Sequence, residues 1–344
     1  MEVSIRMNNR YIVEKEELRI DEYENAFARP NGGQGIISVY DQNGQFIPYT
    51  SKRKYGKAEY SVLEALTLED MQEAGFFNEE VVYLGFFRGH WGHFIVDSSI
   101  RLWALEKEEY RNKRILMKIE GMETFYQKFL GYLGISREQI IQLEEPARFK
   151  KIIIPQLAYF PQAYISRAFL SPFRRVSEVI RLDKKTYDKI YLSRVRFARS
   201  KKELGERRIQ SIFEENGYQV LYPEELSLEE QIWYYKNCRE IVTTNGTIAH
   251  NVVYAKEGIR LVMLKRFKEE NTHQLAINQI CGIDYIEVDC YDKKSNHNNS
   301  LMLRTPQLME FCRKNGISVL REGIWQRIYF RIIFNLPYLY KWFR

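Results

Sequence analysis

Between Ile190 and Leu264 the chain alternates short apolar runs with longer amphipathic ones, reading strand, charged loop, helix, strand, helix, strand, turn, helix, strand. Such alternation specifies βα units and a parallel sheet, which leaves few other architectures open. The first run, Lys189-Ile190-Tyr191-Leu192-Ser193-Arg194, opens onto Arg194, Arg196 and Arg199, with Ser193 and Ser200 beside them. Ligands of open α/β sheets bind beyond the carboxyl ends of the strands, so these cations stand where a phosphate would. A helix is expected over 203–215, stopped by Asn216-Gly217, and a strand over 218–221 ended by Pro223. Ser227 with Glu230 three residues later forms a capping box for the next helix. A strand over 240–243 then runs into Thr244-Asn245-Gly246-Thr247, followed by a helix through His250, Asn251 and Tyr254 and a strand over 261–264. Glycine at such a turn leaves backbone N–H groups and a helix N-terminus facing a ligand, a geometry suited to a pyrophosphate. Glycine there also has a purely conformational explanation. The arginine loop on the preceding unit weights the reading towards phosphate.

A second α/β unit begins with the strand at 81–86 and passes through Arg88-Gly89-His90-Trp91-Gly92-His93 into a helix running to Leu105. His93, Asp97 and Arg101 are spaced i, i+4, i+8 and are expected along one face, with Phe94, Ile95, Leu102 and Leu105 as the buried stripe. A histidine and an aspartate one turn apart form either a base with its orienting carboxylate or a structural hydrogen bond. The alternation continues with strands at 115–119, 140–143 and 149–155 and a helix at 123–133. The aromatic segment 159–164 falls where the chain would cross between domains, and either lines a cleft or packs a core. The first 80 residues carry little chemistry. A hairpin is expected at 36–47 with its turn at Asn43-Gly44, and an exposed basic loop at 52–57. Near the other end, a strand at 285–288 and a helix at 306–314 flank a polar loop at 293–300.

At 344 residues, with 45% hydrophobic and 28% charged residues, the chain is expected to be globular and to form two domains. Charged residues interrupt every apolar stretch near the N-terminus, and no run of about 18 apolar residues spans a membrane. Cys238, Cys281, Cys290 and Cys312 are scattered without metal-type pairing, which predicts a reduced cytoplasmic protein with no zinc site. The net charge is +7, yet 150–208 alone holds 16 Lys/Arg against 5 Asp/Glu, so an anionic partner is expected near mid-chain. From Arg321 the tail changes character, with five basic residues, one acidic residue and eight aromatics. Arg327 and Arg331 share a helical face among Trp325, Ile328 and Ile332, a pattern suited to a membrane interface or to packing back on the fold.

Gly92-His93-Phe94, Asp97 and Arg101-Leu102-Trp103-Ala104-Leu105 together resemble the G-H-W/F-x-x-x-D-x-x-x-R-L-W motif of the family 61 glycosyltransferases. Tyr191-Leu192-Ser193-Arg194, Arg199-Ser200, the segment 223–231, and the Gly246 turn with Asn251 are similar to that family's other motifs, in the same order. The resemblance implies a GT-B architecture, with two Rossmann-like domains facing across a cleft. It implies domains over 1–180 (acceptor side) and 181–320 (nucleotide-sugar side), followed by the tail at 321–344. It further implies inverting transfer of a sugar from a nucleotide donor, expected to be a UDP-sugar. His93 would be the base oriented by Asp97, with the reversed roles open. Ser193, Arg194, Arg199, Glu230, Asn245, Gly246 and Thr247 would hold the donor, and His90, Trp91 and Arg101 would face the acceptor. Many members carry a histidine where this chain has Asn245, and His250 lies a helical turn beyond.

No Asp-x-Asp motif is present, so fixed cations rather than a metal are expected to stabilise the leaving diphosphate, and no cofactor is expected. A membrane-binding tail would make the acceptor a polyprenyl-linked glycan and the protein a peripheral one on the inner face of a bacterial cell membrane, working in capsule or surface polysaccharide synthesis. The rival reading is a non-catalytic nucleic-acid-binding module using the mid-chain cations, although no nucleic-acid motif supports it. A Rossmann oxidoreductase is discounted for lack of G-x-G-x-x-G after a strand.

Overall fold

The computed structural model describes residues 12–31, 36–50, 63–87, 89–119, 124–197, 206–266, 269–290, 305–319 and 328. The basic loop at 52–57, Arg88, Arg199, Ser200, the polar loop at 293–300 and the tail reading at 321–344 lie outside them, apart from Ile328.

The C-terminal half is a five-stranded sheet in the spatial order Gln219–Leu221, Lys189–Leu192, Glu240–Thr244, Arg260–Lys265, Asp284–Asp289. Every pairing is parallel. A parallel sheet is covered on both faces, so its strands must be apolar throughout. Leu261, Val262, Met263 and Leu264 accordingly all bury. The strand order reverses between Lys189–Leu192 and Glu240–Thr244, so the loops after these two strands flank a crevice, the usual ligand position in doubly wound sheets.

The N-terminal half holds a seven-stranded sheet of mixed direction. Gly75–Phe87 lies between Ala147–Pro155 and Arg114–Ile119, parallel to both, with Ile140–Ile141 parallel beyond Arg114–Ile119. Ile20–Glu24, Phe27–Asn31 and Ile36–Tyr40 add antiparallel pairings on the far side. The expected hairpin at 36–47 is reduced to a single bridge between Tyr40 and Phe46. Gly44 does take the positive φ of its turn (+72°), but Ile36–Tyr40 spends its ladder on Phe27–Asn31 instead.

The helix expected after Arg88 is not regular. It begins as one α-turn at Trp91–His93, widens to a π-turn at Phe94–Ser98 and tightens to a 3₁₀ segment at Ser99–Glu106. Widening and tightening change the residues per turn, so the i, i+4, i+8 alignment survives from His93 to Asp97 and is lost by Arg101.

One buried cluster runs through both halves, from Val82 and Phe94 through Phe173 to Ile241 and Ile283. The helix Ser171–Val179 carries much of this bridging, with Phe173 packed against Phe129 on one side and Tyr254 on the other. Among the described residues no helix is long and apolar enough to cross a membrane. The four cysteines are buried free thiols.

Candidate active site

The two halves touch at a glycine. A Cβ on Gly92 would stand 2.6 Å from Cγ2 and 2.7 Å from Oγ1 of Thr247, so only a residue without a side chain lets the Trp91–His93 turn reach the start of the 3₁₀ helix Thr247–Tyr254. Beside it, Trp91 donates its indole N–H to Asn251 Oδ1 (2.8 Å) and stacks on Phe94. Asn251 in turn donates to Gln231 (3.1 Å). Trp91 therefore ties the two halves together at this contact.

His93 Nδ1 and Asp97 Oδ2 are 2.7 Å apart, with side chains 47% and 33% exposed. His90 is exposed and meets His93 edge to face, ring centroids 5.4 Å apart. Arg101, expected on the same face, is turned inward and buried. Its Nε donates to the Pro155 carbonyl (3.0 Å), its Nη2 to that of Tyr49 (2.6 Å), and its guanidinium lies over the Tyr83 ring. Arg101 is thus buried against two backbone carbonyls and does not lie beside His93 and Asp97 on one exposed face. The change of helical pitch through residues 94–106 accounts for the difference.

Across the contact, Gly246 adopts φ +155°, ψ −179°, a region that is essentially glycine-only. Nη1 of Arg194 lies 2.8 Å, and Nη2 of Arg266 3.6 Å, from where its Cβ would stand. Burial pushes the Arg194 guanidinium pKa down, with Glu206 and Glu224 opposing it. Burial and then the Arg194 charge push Arg266 down to about 9, still cationic at neutral pH. Asn245 is buried and serves Arg266. Its side-chain oxygen accepts from the Arg266 backbone N–H (2.9 Å) and its carbonyl from Arg266 Nε (3.0 Å). Ser193 is fully buried, donating to Gln210 and accepting from the Val195 N–H, which shapes the loop that carries Arg194. Glu206 Oε1 takes the Arg194 backbone N–H (2.8 Å), while burial raises its carboxyl pKa.

Glu230, expected among the donor-binding residues, completes the Ser227 capping box and pairs with Lys184. Its bonds go to Ser227, three residues before it, and to Lys184, and neither is at the Gly246 turn. Its neighbour Glu229 spans the halves to Lys128 (2.9 Å) and Tyr132 (2.8 Å).

Arg266 was not singled out in the sequence, although it follows the strand Arg260–Lys265 directly. The rule that ligands gather beyond carboxyl ends of strands pointed to it as it pointed to Arg194. His250 and His273 also converge on this region. His250 is buried, bonded through Nδ1 to Gln274 (2.8 Å), and burial holds its pKa down at about 4, with His273, His93 and His90 contributing. His273 meets the Tyr159 hydroxyl at 2.8 Å, so the aromatic segment does lie where the halves join. Among the described residues no group of three His, Cys, Asp or Glu side chains could hold a metal ion.

The model of the glycosyltransferase 61 family matches residues 91–262, from the first turn at the contact to the fourth strand of the parallel sheet. The chain belongs to the glycosyltransferase 61 family. The match takes in His93, Asp97, Arg194 and the Gly246 turn together, and it supports glycosyl transfer as the activity. No curated protein matches the chain. Within this family member, several of the mid-chain cations that raised a nucleic-acid reading pair with carboxylates of the fold: Arg167 with Glu14, Arg175 with Glu106, Lys184 with Glu230 and Arg196 with Glu225.

Proposed function

We propose that the chain is an inverting, metal-independent glycosyltransferase of GT-B arrangement, moving a sugar from a nucleoside diphosphate donor, a UDP-sugar by preference, to an acceptor hydroxyl. The observation that carries this reading is the Gly92–Thr247 contact, which brings the His93–Asp97 pair against the turn bordered by Arg194. In this mechanism Asp97 accepts the Nδ1–H of His93, favouring the tautomer whose Nε2 lone pair is basic. Nε2 removes the acceptor proton as the acceptor oxygen attacks the anomeric carbon. The bond to the donor's diphosphate oxygen breaks on the opposite face, which inverts the configuration. Arg194 and the amides of the turn receive the charge that gathers on the leaving group, a preorganised arrangement that needs no reorganisation during reaction.

The basic, aromatic composition of 321–344 supports a polyprenyl-linked glycan as acceptor, at the inner face of a bacterial cell membrane, in capsule or surface polysaccharide synthesis. Sedimentation with anionic vesicles of the full chain, but not of a chain ended at residue 320, is expected on this reading; equal sedimentation of both would remove the tail from it.

The test of the central reading is thermal stabilisation by UDP-, GDP-, CMP- and dTDP-sugars. A ligand at about 100 times its Kd contributes about 2.7 kcal/mol. Stabilisation by one nucleoside diphosphate sugar, unchanged by EDTA and lost in Arg194→Ala, is expected. No response to any sugar nucleotide would sink the proposal.

A further inference from the structure

His250 is a buried titratable group that the proposed mechanism does not use, with 6% of its surface exposed. Its hydrogen-bond chemistry is set by Gln274, which is itself buried. The Gln274 amide nitrogen donates to the Ala249 carbonyl (3.1 Å) and to Asn278 Oδ1 (2.8 Å). A backbone carbonyl only accepts, so the amide atom facing Ala249 is the nitrogen, and the one 2.8 Å from His250 Nδ1 is the oxygen. Nδ1 therefore carries the ring hydrogen and donates it, and Nε2 presents a lone pair. Among the described residues Nε2 has no hydrogen-bond partner, and it is not one of the side-chain atoms sealed inside the fold. A largely buried acceptor left unpaired is costly, and a ligand that brings a donor removes that cost.

The place of the ring says which ligand. Thr247–Tyr254 is a 3₁₀ helix, in which side chains three residues apart eclipse one another. Thr247 is the side chain against which the Gly92 backbone stands, so His250 follows it on the face turned towards the Trp91–His93 turn. The charges that act on its ring agree with this placement, since they come from His273, His93 and His90. Burial keeps the imidazole neutral at working pH. A neutral acceptor does not attract a phosphate oxygen, which has no hydrogen to give, but it fits a hydroxyl.

We infer that His250 is a specificity-determining residue of the donor site, its Nε2 accepting a hydrogen bond from a hydroxyl of the transferred sugar, with Gln274 as the positioning residue that fixes the tautomer. The sugar is one bond from the diphosphate assigned to the Gly246 turn, and His250 stands one turn of helix beyond that turn. That the hydroxyl belongs to a nucleotide-linked sugar rests on the proposed function. The unpaired acceptor at the junction rests on the geometry.

The experiment is calorimetric titration of the full chain with UDP-glucose, UDP-galactose, UDP-xylose and UDP-N-acetylglucosamine against UDP, GDP-mannose against GDP, and dTDP-glucose against dTDP. Wild type, His250→Asn and His250→Gln are compared. An asparagine amide reaches the place of Nδ1 and keeps a partner for Gln274, but presents nothing at the place of Nε2, which a glutamine amide does reach. In His250→Asn the sugar nucleotide is expected to bind about 3- to 10-fold more weakly, the loss of one hydrogen bond, with its parent nucleoside diphosphate unchanged. His250→Gln should recover part of that loss. In the wild type labelled with nitrogen-15 histidine, the unprotonated nitrogen of His250 should shift with the sugar nucleotide and not with the parent diphosphate, a readout that needs no variant to fold. Equal affinity of wild type and His250→Asn for every sugar nucleotide, or an equal loss for sugar nucleotide and parent diphosphate, overturns the inference. Absence of binding by any of these nucleotides to the wild type removes the proposed function, and the inference with it.

Discussion

Replacing His93 by alanine removes the group placed to take the acceptor proton, and kcat is expected to fall by roughly 10² to 10⁴ with donor affinity kept. Asp97→Asn keeps a side chain beside Nδ1 but loses the carboxylate, so kcat should fall less than in His93→Ala. If Asp97→Asn is instead the more damaging change, the reversed assignment of base holds. A steady-state comparison of the two variants decides it. His250 makes a different prediction, because burial holds its imidazole neutral down to about pH 4. The unfolded chain protonates this histidine near its ordinary value, so it binds more protons than the fold between these limits and stability falls as pH falls. The contribution is present above the unfolded value and is lost by about 2 kcal/mol between pH 7 and pH 5. Urea denaturation at both pH values should show that loss in the wild type and its absence in His250→Leu. Asp97, His250 and Arg101 also show how far single residues were legible. Spacing alone found the His93–Asp97 contact, since one turn of helix is short enough to survive irregularity. It misplaced Arg101, because a π-turn followed by 3₁₀ geometry rotates every later side chain.

Elements meet where the sequence could name both partners but not the meeting. Gly92 and the Gly246-Thr247 turn each stood out locally, one as part of a motif and one as a turn. Their separation of about 155 positions gave no sign of contact, because nothing local to either stretch depends on the other. A methyl group on Gly92 would press on both γ atoms of Thr247, so Gly92→Ala should cost about 1–3 kcal/mol and lower activity by separating His93 from the turn. Thr247→Ala removes the two atoms that would clash most and should restore part of the melting temperature; a double variant no better than Gly92→Ala alone would show that the contact is not what constrains the glycine. The capping box at Ser227 was readable because its hydrogen bonds close within four residues. The role of Glu229 was not, since Lys128 and Tyr132 come from the other half of the chain. Burial raises its carboxyl pKa, and Lys128, its own backbone N–H, Tyr132 and Ser227 outweigh that to bring it down to about 2.

Across the whole molecule, one hydrophobic cluster is shared by the two sheets. The halves are therefore expected to unfold together, with far-UV circular dichroism and tryptophan fluorescence giving coincident denaturation curves. Two separated transitions would show that the halves hold independent cores. The parallel sheet of the C-terminal half was legible strand by strand, because strands buried on both faces must be apolar throughout and helices between them must be amphipathic, constraints that each segment expresses in its own composition. The antiparallel additions to the N-terminal sheet were not legible, because Ile36–Tyr40 carries the same alternation whether it pairs with the residues after it or with Phe27–Asn31. By itself the sequence determined the alternation of elements, the loops that bear arginine and glycine, and the histidine–aspartate pair, since all of these depend on neighbours within a few residues. Tertiary structure decided that the Gly92 turn rests on Thr247, that Arg101 is buried, and that Arg266 joins Arg194 at Gly246. Those outcomes depend on which strands lie side by side and how closely two backbones approach, quantities set by packing between segments far apart in the chain.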